Sequence, residues 1–159
     1  GIVVVAKSSQ AHSLLNRNSA KTMEKKYLAV VSGILAVKCG SIKLPISDNW
    51  DDEGRRYISD NGKPAVTEYQ VLEEYEEASL VSIIIRTGKT HQIRVHFSSI
   101  GHPLLGDMLY GGTDDNIKRQ ALHAWQLNFL HPISRNSISL KAELPSDMQI
   151  LLKKLRGEA

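Results

Sequence analysis

The 159-residue chain contains a single cysteine, Cys39, so no disulfide can form within it. That suits a reducing compartment, and a cytoplasmic location is the expectation. Long apolar runs are missing too. Residues 2–6 and 81–85 are among the longest, far short of the roughly 20 residues that cross a bilayer as a helix. No charged segment with a cleavage pattern precedes an apolar stretch. Metal-binding spacings are absent: there is no His-x-x-x-His and no Cys-x-x-Cys. His91 and His96 are five residues apart and diverge around a helix. No metal is expected, and Cys39 has no nearby base to make it a nucleophile. Strong charge of one sign is also lacking. Twenty basic and 17 acidic residues leave a net charge of +3, which permits a polyanionic partner without demanding one.

What is present fits one domain with a real core, spanning residues 1–159. A monomer is expected. The chain opens at Gly1 inside a β-branched run that reads as a buried strand, so upstream residues are expected. Ser8 or Ser9 is placed to cap a short helix with Ala11, Leu14 and Leu15 on one face. A basic connector with Arg17, Lys21, Lys25 and Lys26 follows. Strands are predicted over residues 26–32, 40–46, 64–74, 78–86, 121–129 and 137–142. A helix is predicted from Thr90 to near Gly101, with Ile93, Phe97 and Ile100 inward. A last helix follows a Ser146 cap, with Met148, Leu151, Leu152 and Leu155 inward. Strands with segregated helices indicate an α+β fold with a mixed, mainly antiparallel sheet, flanking helices and a central cleft.

The densest polar stretch runs from Arg86 to His96. A strand end, a glycine turn and a helix start place Lys89, Thr90, His91 and Gln92 beside free backbone amides, a setting for anions. A plain surface turn is the simpler reading of such a stretch on its own. Arg94 follows the core-facing Ile93, so its stem skirts the interior and its head needs a carboxylate or phosphate. Tyr27 stands at the head of a strand beside Lys25 and Lys26, where it can stack on a base or simply be half-buried. Asp107 sits in an apolar loop, where bracing of backbone amides is the simpler expectation. The Arg55-Arg56 pair and the four glutamates around residue 75 read as solvated loops.

These motifs, in this order, resemble the RluA family of RNA pseudouridine synthases along nearly the whole chain. Lys25-Lys-Tyr27-Leu-Ala29 with Gly33 looks like the family's second motif. Gly62-Lys-Pro-Ala65 with Thr67 matches the entry to its long hairpin. Thr87-Gly-Lys-Thr-His-Gln-Ile-Arg94-Val-His96 matches the third motif, with Lys89 where arginine is commoner. Gly101-His-Pro-Leu-Leu-Gly-Asp107 and Leu122-His-Ala124 complete the set. The family's nucleophilic aspartate lies in a His-Arg-Leu-Asp segment a few residues before the position Gly1 matches.

The resemblance implies isomerisation of particular uridines to pseudouridine in ribosomal or transfer RNA, without a cofactor. It implies Tyr27 and Arg94 as catalytic residues, opening into one RNA-binding cleft. Lys25, Lys89, Thr90, His91, Gln92 and Leu122 would bind substrate. The chain from Gly1 onward is expected to be inactive for want of the aspartate. A non-catalytic RNA-binding module, a degenerate paralogue and a histidine-dependent hydrolase are the rival readings.

Overall fold

The computed structural model describes residues 1–112 and 117–158, with the side chains of residues 17–22 left out. Helix α1 spans Ser9–Thr22. Strands β1 (Met23–Ser32), β2 (Cys39–Ile42), β3 (Thr67–Glu74) and β4 (Ala78–Ile85) follow. Then come helix α2 (Gln92–Ser99), a single 3₁₀ turn at Met108–Tyr110, strands β5 (Leu122–Leu130) and β6 (Ser137–Lys141), and helix α3 (Ser146–Leu155). The strands form one six-stranded sheet in the order β2-β3-β4-β1-β5-β6. Every strand pair is antiparallel. The expected α+β class holds, and no parallel pair occurs among the described residues.

Alternation along the central strands explains why both faces are covered. Ala29 and Val31 of β1, with Val81 and Ile83 of β4, join Ile93 and Phe97 of α2 on one face. Val30, Ala78 and Leu80 point the other way and join Met148, Leu151 and Leu152 of α3. Each fully buried side chain of this size contributes on the order of 2 kcal/mol relative to exposure. A two-sided sheet needs apolar residues at successive positions, which is why 29–31 and 80–83 read as nearly continuous apolar runs.

Several expectations change in detail. Residues 1–6 do not form a buried strand. Their only backbone bond to the sheet among the described residues runs from the Ile2 amide to the Ala124 carbonyl, at 2.9 Å, and Val3 and Val5 are exposed. Ser8 does cap α1, its hydroxyl accepting the Ala11 amide at 3.1 Å. The helix runs on to residue 22, through the expected connector, and Lys25 and Lys26 belong to β1. The side chains of Arg17 and Lys21 lie outside the described residues. Helix α2 begins at Gln92 rather than Thr90, because His91 adopts a left-handed backbone at φ 58°. Ile100 is exposed at the other end, while Gly101, at φ 81°, takes the turn that stops the helix. The Ser146 hydroxyl makes no cap. Pro145 precedes α3, and the Met148 amide is taken by Asp147 Oδ1 at 2.8 Å.

Candidate active site

Where β1, β4, α1 and the opening residues meet, a cavity of about 660 Å³ opens. Tyr27 stands in its wall, with Lys25, Lys26, His12, Arg86 and Gln126 among its polar neighbours. Ile2, Val4, Leu15, Ile85 and Leu127 supply apolar walls. Among the described residues no carboxylate lines it, although Glu24 pairs with Lys26 at 3.4 Å and Glu68 with Arg86 at 2.8 Å from outside. A cleft with basic walls and an apolar floor suits a base carried on a phosphate backbone. Burial pushes the Tyr27 phenol above its ordinary value, so it stays protonated near neutrality. The chain start belongs to the same wall. Gly1 lies so close to Ala124 that a Cβ on it would stand 2.7 Å from the Ala124 nitrogen. Ala124 is the cross-strand partner of Tyr27.

The turn after β4 carries the second group. Thr87 and Gly88 line the cavity rim. Gln92 fixes their course: its Oε1 accepts the Thr87 hydroxyl at 2.8 Å and the Lys89 amide at 3.0 Å. Its amide donates to the Val66 carbonyl and the Thr67 hydroxyl, both at 3.0 Å. Arg94, one residue past the core-facing Ile93, holds Asp107 through two bonds of 2.6 Å, Nε to Oδ2 and Nη2 to Oδ1. Its guanidinium also lies over the Tyr110 ring, 4.6 Å from the centroid. His91 Nδ1 is 2.9 Å from the Tyr110 hydroxyl. Burial first, and then the Arg94 charge, hold the His91 imidazole below its ordinary value.

A family model for RNA pseudouridylate synthase matches residues 1–99. The chain belongs to the RNA pseudouridylate synthase family. An uncharacterised RNA pseudouridine synthase, YjbO, of Bacillus subtilis is 42% identical over 154 residues, covering 96% of this chain and 54% of that protein. Ribosomal large subunit pseudouridine synthase D of Nitrosomonas europaea is 42% identical over 167 residues, covering 99% of this chain and 48% of that protein. The chain thus spans about half the length of the curated relatives it matches. The solved structure of human RNA pseudouridylate synthase domain containing 1 superposes with a TM-score of 0.75 at 30% identity, covering 96% of this chain and 74% of that one.

Within this pseudouridylate synthase fold, the expected site residues separate into two groups. Lys25 and Tyr27 line the cavity together. Leu122 does not line it, but packs beside Tyr27 against the same core cluster as Ile93 and Phe97. Lys89, Thr90 and His91 follow the rim turn, and Arg94 stands behind it on α2. Gln92 departs from its expected role. It is buried, and its amide and carbonyl are spent on the turn, so it shapes the site rather than offering donors to a ligand. Asp107 also departs from expectation, because its carboxylate takes Arg94 rather than backbone amides. Trp50 does not stand out in the sequence, and Tyr110 does so only as one of the apolar residues that must fold its loop onto the body. A tryptophan inside an otherwise polar loop was the available signal for the first.

Proposed function

We propose that this chain is the catalytic part of an enzyme converting specific uridines to pseudouridine in structured RNA. Ribosomal RNA is the favoured substrate, because a relative of 42% identity is named for the large ribosomal subunit, and transfer RNA is the second. The reaction breaks the N1 glycosidic bond, turns the uracil and joins C1′ to C5, with the C5 proton lost and N1 left protonated. Atoms and electrons balance within the base, so no cofactor enters. The target base must leave its stack, at a cost of a few kcal/mol, and the Tyr27 ring offers a surface to receive it. A phenol held above its ordinary value suits stacking and hydrogen-bond donation better than proton removal near neutrality.

The observation that carries this reading is the seat of Gly1 against Ala124, directly across from Tyr27. A residue a few positions upstream lies within about 3.5 Å per residue of that point. The family's aspartate belongs there. By the resemblance, Arg94 is the cation that would hold such a carboxylate ionised, in addition to its two-bond pair with Asp107. Residues 1–159 alone are therefore expected not to form pseudouridine. The test joins the chain to its encoded upstream segment and incubates each form with ribosomal RNA, reading pseudouridine by chemical labelling. Product from the extended form alone supports the reading, and product from neither form refutes it.

A further inference from the structure

Outside the cavity, the loop between β2 and β3 presents an exposed aromatic backed by an arginine. Trp50 is 48% exposed in a run of polar residues. The Arg56 guanidinium carbon lies over it, 3.9 Å from a ring centroid. His91 meets the indole at 5.5 Å and 76°, an edge contact. This loop is built rather than loose. Asp51 Oδ1 accepts the Glu53 amide at 3.1 Å and the Arg55 amide at 2.7 Å. Ser47 Oγ accepts the Asn49 amide at 3.0 Å, and the Arg56 amide donates to the Tyr110 hydroxyl at 2.8 Å. Such ties set the Trp50–Arg56 stack before any ligand arrives, which lowers the ordering cost of binding.

One donor in the stack is unmet. Arg56 Nε is enclosed and has no hydrogen-bond partner, a condition rare for a buried donor in a folded protein. Arg56 also lines a second cavity of about 380 Å³ with Arg55, Tyr57 and Tyr110. Arg56 Nη1 donates to the carbonyls of Ser47 and Asp48, so the guanidinium is fixed from within the loop and braces the exposed indole. The position is equally telling. Thr87 and Gly88 form the rim of the Tyr27 cavity. Two and three residues further on, Thr90 leads into His91, which touches Trp50. Asp48, two residues before Trp50, pairs with Lys63 at 2.5 Å and also feels the Lys89 charge. A strand leaving the Tyr27 cavity across this rim therefore meets Trp50 next.

We infer that Trp50, backed by Arg56, is a stacking platform for an unpaired RNA base that flanks the target uridine. This rests on the RNA-modifying reading of the Tyr27 cavity and names how that site takes hold of a neighbouring nucleotide. An aromatic face accepts any base, so the platform adds affinity for unpaired RNA without reading sequence.

The test uses the chain carrying Trp125→Phe, in which Trp50 is the sole tryptophan. A single-stranded uridine-containing oligoribonucleotide should quench its fluorescence, and a blunt duplex of the same sequence should not. In the chain that keeps Trp125, Trp50→Leu, which keeps apolar bulk but has no π face, should weaken binding of a dye-labelled single strand, read by fluorescence anisotropy, about tenfold. Trp50→Phe should restore most of it. The salt dependence of binding should be the same in all three, because stacking releases no counterions. Unchanged affinity in Trp50→Leu, with RNA binding intact, overturns the platform alone. Absence of RNA binding by the unmutated chain overturns the platform together with the functional reading beneath it.

Discussion

The Thr67 hydroxyl and the His96 ring are 2.9 Å apart in the core, where burial favours the neutral imidazole. His96 Nε2 faces the Leu44 carbonyl at 2.9 Å. A carbonyl only accepts, so Nε2 carries the hydrogen and Nδ1 accepts from Thr67. Thr67 in turn accepts from Gln92. Thus the turn at the cavity rim is tied through Gln92 and Thr67 to a fully buried imidazole.

That tie makes stability sensitive to mild acid. Burial holds His96 below its ordinary value, which is about 6.5 in an unfolded chain. As pH falls below that point, the unfolded state takes up protons first, so folding stability drops until the folded imidazole also titrates. His91 and His123 are shifted the same way, chiefly by burial. Carboxylates such as Glu68 and Asp147, lowered mainly by their arginine partners, contribute in a separate and more acidic window. The urea midpoint should therefore be lower at about pH 5.5 than at about pH 7.5. His96→Gln should lower the midpoint at neutral pH and shrink the difference between the two. An undiminished difference in that variant would move the effect to the other histidines.

Arg94 and Asp107 make a second prediction. Their side chains are 12% and 1% exposed, so removing one charge strands the other in a poorly hydrated place. Asp107→Ala should cost about 3–5 kcal/mol in urea unfolding. Arg94→Lys keeps the charge but loses the two-bond fork and the planar contact with Tyr110, so it should also destabilise, by less. The double variant Arg94→Met, Asp107→Leu should recover much of the stability, because the desolvation cost goes with the charges. Equal losses in the double and single variants would mean that packing, not charge, dominates at this position.

How far the sequence announced this depends on the residue. The central strands were legible because β1 and β4 are covered on both faces, and such coverage demands unbroken apolar runs of strand length. The need of Arg94 for an anion was legible from its place beside Ile93. Which carboxylate would meet it was not, since Asp107 reaches it only through the fold of the 102–112 loop. The start of α2 was misplaced by two residues because His91 takes a left-handed conformation, which an imidazole side chain does not advertise. Gln92 looked like a surface donor. Its burial follows from the sheet passing beneath it, which spacing along α2 alone does not specify. Residues 1–6 have the composition of a buried strand, yet only one side of them is covered.

The central claim is that the Tyr27 cavity receives the uridine. The most direct measurement is single-turnover conversion of ribosomal RNA by the chain joined to its encoded upstream segment, with and without Tyr27→Ala. Loss of the receiving surface should slow conversion by at least about a hundredfold, as expected when reacting groups are misplaced by roughly 1 Å, measured at a urea-free condition where unfolding shows the variant still folded, since Tyr27 also packs against the core. Tyr27→Ala converting RNA at the unmutated rate would contradict the account and place the reacting base elsewhere.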